Sequence, residues 1–242
     1  MAKRQPATAN RLTPLASGPV KTRSVAQKTA RAAARKAAPP GKPGKAIAAD
    51  GANLGDEARA RVLSSKVVWE GPLFRVLHDK LIEPGGRENE RDVIRHNGSV
   101  VILAIDNSKS KRNPWIVMER QFRHAANQFL WELPAGKIDA GEEPLAGAKR
   151  ELAEETGYRA KKWRPLVEYY ASPGFLGEAM KVFVAEGLEA GDARPEEDED
   201  IELRLVKLTD VLKMIKKGAI QDGKTLTSVL LYAWLKGGRR KK

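Results

Sequence analysis

The sequence predicts an α/β layered domain with a mixed sheet, preceded by a disordered basic N-terminal arm. Three observations carry this: composition changes along the chain, charge gathers at its ends, and short β-branched runs alternate with a few helical patterns. Of 242 residues, 44 are Lys or Arg and 31 are Asp or Glu, a net charge of +13. Residues 1–49 hold eleven of the basic residues and no acidic one, and residues 239–242 hold four more. The remainder, 50–238, has 29 basic against 31 acidic residues, a net of −2. The chain therefore divides into an arm at 1–60, a near-neutral domain at 61–236 and a basic tail at 237–242.

The arm is rich in Ala, Lys, Arg, Pro and Thr and almost free of large apolar residues. Such a segment cannot bury enough surface to offset the entropy of ordering, so flexibility is expected. Residues 24–38 contain good helix formers and can turn helical on a partner, until Pro39, Pro40 and Pro43 stop them. A targeting presequence is also basic and acid-poor, but here only Val25 and alanines offer an apolar face. A basic arm attracts phosphates, and this one lacks interleaved aromatics to read bases. The expected role is an accessory tail, with weak nonspecific nucleic-acid contact as a secondary one. The chain has no cysteine, which excludes a disulfide framework, a thiolate metal site and a thiol nucleophile. That fits a reducing, cytoplasmic compartment. No apolar run approaches the ~20 residues of a membrane span, and no charged-then-apolar signal opens the chain, so no membrane association is expected.

From about Leu63 the composition becomes that of a folded domain. β-Branched and aromatic runs predict strands near Lys66–Trp69, Phe74–Ile82, Glu90–His96, Ser99–Ile105, Trp115–Gln121 and Phe129–Leu133. Pro84-Gly85-Gly86 and Asn97-Gly98 are turn signals. A helix opens at Pro144, where a missing N–H is no loss, and ends at Gly157, which tolerates a left-handed cap. Leu145, Ala148 and Leu152 give it a narrow apolar stripe. Strands then fall near Leu166–Ala171, Met180–Glu186 and Glu202–Lys207, and helices near Thr209–Lys217 and Lys224–Leu235. Val211, Leu212 and Ile215 mark a buried face on the first of these helices.

The chemistry lies on the helix from Pro144. Glu151, Glu154 and Glu155 stand at i, i+3 and i+4, so their carboxylates share one face. They repel one another, and no lysine lies four residues C-terminal to any of them. A hard divalent cation relieves that repulsion; magnesium takes oxygen ligands, usually one or two carboxylates plus phosphates and waters. An isolated pattern of this kind is more often a solvated helix face. Here Gly136, Glu142, Arg150 and Gly157 fall into register with the glutamates over positions 136 to 158. An arginine among carboxylates orients them by ion pairing, and Gly136 and Gly141 allow a tight loop at the helix start. The three histidines, His78, His96 and His124, show no metal-ligand spacing.

The stretch GKIDAGEEPLAGAKRELAEETGY resembles the Nudix box of diphosphate hydrolases at every fixed position. Residues 66–235 resemble the ADP-ribose pyrophosphatase branch of that superfamily. Glu119-Arg120-Gln121-Phe122-Arg123 is similar to its "EQxR" strand and Glu132-Leu133-Pro134-Ala135-Gly136-Lys137 to its "ExPAGK" segment. Ser172-Pro173-Gly174-Phe175 places a proline sixteen residues past Gly157, and Asp222-Gly223-Lys224-Thr225 resembles its late "DxKT" segment. Tyr158 departs from the aliphatic residues more usual at the end of the box.

The resemblance implies an α/β/α sandwich, a loop–helix–loop that holds divalent metal, and a homodimer in which Trp69 to Arg75 lie near the interface. It implies Glu151 and Glu155 as primary magnesium ligands, assisted by Glu154 and the Ala135 carbonyl, with manganese as a possible substitute. Arg123 is the implied phosphate ligand, since a guanidinium fork matches phosphate oxygens, although an arginine at a strand end is often only a surface charge. Pro173 and Phe175 are implied substrate contacts; Phe175 and Trp69 are candidates to stack on a base, against the ordinary reading of aromatics as core. The acidic run Glu196-Glu197-Asp198-Glu199-Asp200 resembles a loop that supplies the catalytic base, with Glu197 or Glu199 favoured, although such a run is usually a solvated turn. The implied reaction is metal-dependent hydrolysis of ADP-ribose to AMP and ribose 5-phosphate. Another nucleoside diphosphate sugar, such as GDP-mannose or ADP-glucose, or a non-catalytic nucleotide-sensing or RNA-associated role, is the alternative.

Overall fold

The computed structural model describes residues 59–71, 74–194 and 201–238. Most of the basic arm, the C-terminal basic tail at 239–242, and Glu197 and Glu199 lie outside the described residues. Strand β1 (Arg61–Glu70), β2 (Arg75–Ile82) and β3 (Glu88–Arg95) form an antiparallel ribbon. The turn between β2 and β3 holds Gly85 and Gly86 at φ of 95° and 82°, where side-chain-bearing residues are strained. Next come β4 (Ser99–Asp106), β5 (Trp115–Arg123), β6 (Gln128–Glu132) and the short β7 (Ala135–Lys137). Helix α1 (Pro144–Thr156) leads into a long hairpin, β8 (Arg159–Ser172) and β9 (Leu176–Glu189). Strand β10 (Glu202–Lys207) and helices α2 (Leu208–Lys216) and α3 (Gly223–Gly238) follow.

The sheet order is β1-β2-β3-β9-β4-β5-β10, with β6 on β5, β7 on β4 and β8 on β9. Strand β9 runs parallel to β3 and β4, while β5 pairs antiparallel with β4 and β10, so the sheet is mixed. Strand β4 explains the layering. Val100 through Ile105 have no solvent exposure, as expected for a strand covered on both faces. Because side chains alternate, Val100, Ile102 and Ala104 join one core, with Ala148 and Leu152 of α1. Val101, Leu103 and Ile105 join the other, with Val211 of α2 and Val229 and Tyr232 of α3. Helices thus cover both sides of the sheet, giving the layered α/β fold expected.

Several elements differ from expectation in length. Strands β8 and β9 run to 14 residues each, well beyond Leu166–Ala171 and Met180–Glu186. Charged residues such as Arg159, Lys161, Lys162 and Arg164 hide the start of β8 from a composition test, although Ala160 and Trp163 pack against the α1-side core. A register shift between Pro165 and Val167 absorbs the proline. Strand β7 is unexpected, because its partner β4 lies far away in sequence: Val101 faces Ala135 and Ser99 faces Lys137. The apolar stripe of α1 is narrower than read, since Ala148 and Leu152 are fully buried but Leu145 is 36% exposed.

This difference has a measurable consequence. Leu152→Ala is expected to destabilise the domain by about 2–5 kcal/mol. Leu145→Ala should cost at most about 1 kcal/mol, since so much of its side chain is already in water. Denaturant midpoints of the two variants, at unchanged slope, check the contrast.

Candidate active site

Helix α1 delivers its carboxylates to the edge of the sheet where β7 crosses β4. Its C-terminus is fixed by Gly157, at φ 71°, whose N–H donates to the Ala153 carbonyl at 3.0 Å. A side chain at Gly157 would also strike the Gly191 carbonyl, 2.5 Å from the position of its Cβ. The preceding loop is held by Glu142, whose Oε2 accepts from the Asp139 N–H at 3.1 Å. Gly141 takes a φ of 82° there.

Arg150 is the hub of the acidic face. Its Nε and Nη2 donate to the two carboxylate oxygens of Glu142, each at 3.1 Å. Its Nη1 lies 2.9 Å from both Glu151 and Glu154. The Glu142 hydrogen bond raises the Arg150 pKa further above its ordinary value, and the same bond holds the Glu142 carboxyl below the usual range. Arg150 therefore aligns the carboxylates by ion pairing, as the spacing suggested.

Glu151 and Glu155 stand one helical turn apart against β7. Glu155 is buried, and its Oε2 accepts from the Ala135 N–H at 3.1 Å. Glu151 lies so close to Gly136 that a Cβ there would sit 1.9 Å from its Oε1. Glycine at 136 thus lets the carboxylate approach the backbone without displacement. Behind Glu155 lies Glu119 of β5, 2% exposed, with its Oε1 lacking a hydrogen-bond partner. Burial pushes the Glu119 carboxyl up to about 8, against the opposing effect of its hydrogen bond with Glu155.

Two cations, Arg123 and Lys224, line the same cleft as the carboxylates. Arg123 at the end of β5 donates from Nε and Nη2 to Glu132, at 2.9 and 2.8 Å. Lys224, in the first turn of α3, bonds Glu132 and also Asp222, at 3.1 Å from the latter. Burial works against the Glu132 charge, but the Arg123 hydrogen bonds and the Lys224 charge outweigh it and hold its carboxyl below the ordinary range. The cleft has a volume of about 400 Å³, and its lining includes Arg123, Arg150, Glu151, Glu154, Glu155, Glu178 and Lys224.

The structure thus brings together Arg123, Ala135, Gly136, Glu151, Glu154 and Glu155, with Glu142, Arg150 and Gly157 supporting them. It places Pro173 and Phe175 elsewhere, in a separate shallow pocket with Ile94 and Tyr170. Trp69 is about half exposed on β1 and packs on Phe74 with ring centroids 5.0 Å apart, so it is not a core residue. Sequence reasoning assigned no role to Glu119, Glu132 or Lys224. The available signal was their place in motif segments; what it lacked was the fold that joins those segments.

The donor set fits a hard divalent cation. It is made of carboxylate oxygens on one helical face, the Ala135 backbone lies beside Glu155, and the buried Glu119 Oε1 behind them has no hydrogen-bond partner. Among the described residues no three such side chains already converge on one point, and the Glu151 and Glu154 carboxylates turn toward Arg150.

Comparison with known proteins identifies the family. The NUDIX domain family profile matches residues 95–229. The chain belongs to the Nudix family and is a Nudix hydrolase, a class that needs a divalent metal. Its relatives place it in the ADP-ribose pyrophosphatase branch. An ADP-ribose pyrophosphatase of Bacillus subtilis is 34% identical over 171 residues, covering 70% of this chain and 90% of that protein. One from Mycobacterium tuberculosis is 36% identical over 173 residues, covering 69% and 80%. A GDP-mannose pyrophosphatase of Citrobacter koseri is 38% identical over 161 residues, covering 60% and 80%. A crystal structure of an ADP compounds hydrolase superposes with a TM-score of 0.64 at 21% identity, covering 74% of this chain and 96% of that one. No helix among the described residues is long and apolar enough to cross a membrane.

Gly136→Ala tests the approach of Glu151 to β7. The clash falls on the flexible end of a side chain, so folded stability should change by no more than about 1 kcal/mol. The displaced carboxylate should raise the magnesium concentration needed for half-maximal thermal stabilisation by about 10–100-fold. Unfolding midpoints across a magnesium titration check both numbers.

Proposed function

We propose that this protein hydrolyses the diphosphate bond of ADP-ribose, giving AMP and ribose 5-phosphate. The observation that carries the reading is a single cleft lined by the α1 carboxylates together with Arg123 and Lys224. A diphosphate ester is negatively charged at both phosphorus centres, which repels an incoming water. The carboxylates can hold a divalent cation while Arg123 faces phosphate oxygens directly. Magnesium is the proposed ion, with manganese as a substitute, held by Glu151 and Glu155 with help from Glu154 and the Ala135 carbonyl. When bound, it neutralises phosphate oxygens and lowers the pKa of water. Arg123 grips a phosphate through the guanidinium edge not spent on Glu132, and Glu142 with Arg150 keeps the carboxylates aligned. Glu197 or Glu199 takes the proton from the attacking water.

Pro173 and Phe175 are proposed contacts for the part of the substrate beyond this cleft. A homodimer is supported by β1, an edge strand whose Val62, Leu63, Val67, Val68 and Trp69 are all 42% exposed or more. Cytoplasmic placement rests on the cysteine-free sequence. The basic arm is proposed to make at most weak, salt-sensitive contact with nucleic acid. GDP-mannose is the second reading, favoured by the 38% identity to a GDP-mannose pyrophosphatase.

Turnover with magnesium over ADP-ribose, ADP-glucose, GDP-mannose, NADH, a diadenosine polyphosphate and an oxidised nucleoside triphosphate decides the substrate. ADP-ribose is expected to give AMP with the highest kcat/KM. Glu155→Gln should lower that value by about a thousandfold, on the order of 4 kcal/mol of transition-state stabilisation. Another substrate winning by tenfold or more would replace ADP-ribose while leaving the chemistry in place. No turnover by wild type on any member of the panel would sink the enzyme reading.

A further inference from the structure

Two segments distant in sequence, the β5–β6 hairpin and the start of α3, meet at Arg123. Glu132, at the end of β6, is 1% exposed and accepts from both the Nε and Nη2 of Arg123. A carboxylate this buried is tolerable only if its oxygens are saturated and its charge is paired. Arg123 supplies one cation and Lys224 the second, on Oε2. Lys224 is itself only 9% exposed. It is delivered to Glu132 by the start of α3. Asp222, just before that helix, accepts from the Thr225 N–H at 2.9 Å and the Thr225 hydroxyl at 2.6 Å, a helix-capping arrangement. Its other oxygen accepts from Lys224 at 3.1 Å. The Thr225 hydroxyl in turn accepts from the Leu133 N–H at 2.8 Å, which ties the helix cap to the end of β6.

The guanidinium is planar, and holding it by two adjacent N–H groups fixes its orientation. Arg123 is 41% exposed and lines the cleft, while its Nε and Nη2 are held by Glu132. Without Lys224, Glu132 would carry one cation against a desolvated charge and would be drawn out of line, taking Arg123 with it. We infer that Lys224, through Glu132, is a positioning residue that aims Arg123 at the phosphates of the substrate. This rests on the phosphate-gripping role proposed for Arg123. The alternative, that Lys224 touches phosphate on its own account, predicts a different energetic pattern.

A double-mutant cycle separates the two. The probe is inorganic pyrophosphate with magnesium, its Kd measured by calorimetry on the full-length chain, so the outcome does not depend on which nucleotide sugar is the substrate. ADP-ribose turnover by wild type in the same preparation reports separately on the proposed function. Arg123→Ala and Lys224→Met should each weaken pyrophosphate binding by about tenfold or more, the scale of a charge-assisted hydrogen bond. The double variant should lose no more than the larger single loss, because Lys224 has nothing left to position. Lys224→Arg, which can still pair with Glu132 and Asp222, should bind within about threefold of wild type. Losses that multiply in the double variant would overturn the inference, as would unchanged binding in either single variant or no pyrophosphate binding by wild type. Thermal midpoints guard against a misfolded protein. If Lys224→Met does not fold, Glu132→Gln takes its place in the cycle with the same expected non-additivity.

Discussion

Carboxylates three and four residues apart on one helical face repel each other, and this site can be assembled only because each is given a counter-charge or a donor. Arg150 answers Glu142, Glu151 and Glu154 at once, and the Ala135 N–H answers Glu155. The rest of the architecture serves that constraint. Glu142 grips the guanidinium with both oxygens and is itself held by the Asp139 N–H. Gly147 leaves room for the Glu142 carboxylate, since a Cβ there would sit 2.9 Å from its Oε2. Gly136 leaves room for Glu151. These glycines matter because charged groups must come closer to the backbone than a methyl group allows.

The cleft is polar in the electrical sense. It is lined by the α1 carboxylates and by Arg123 and Lys224, which are balanced by Glu132 and Asp222. The buried sheet beneath these groups lowers the local dielectric and strengthens their interactions. Carboxylates and cations sharing one cleft are the complement of the metal–diphosphate ligand proposed for it. The pocket of Ile94, Tyr170, Pro173 and Phe175 is separate from that cleft.

The sheet makes the arrangement rigid. Strand β4 is buried on both faces, so its position is fixed by two cores at once. Strand β7 hydrogen-bonds to β4, and α1 packs on the opposite face pattern of the same strand through Ala148 and Leu152. The carboxylates and the backbone they approach are therefore referred to one element. A shift of β4 by one residue would exchange its two core faces, which the burial of both forbids.

What the residues alone determined is the part governed by local geometry. The helix from Pro144 to the Gly157 cap, the common face of Glu151, Glu154 and Glu155, and the role of Arg150 follow from 3.6 residues per turn and from charge, which act over a few positions. So do the turn at Gly85-Gly86 and the strand at Ser99–Ile105. Tertiary structure decided the rest. The lengths of β8 and β9 are set by pairing with each other and with β4, against their charged composition. The pairing of β7 with β4, the burial of Glu119 beside Glu155, and the meeting of Arg123, Glu132 and Lys224 depend on segments up to about a hundred residues apart in sequence. No periodicity encodes such contacts, because they arise when separate hydrophobic faces seal against one sheet and carry their polar neighbours along.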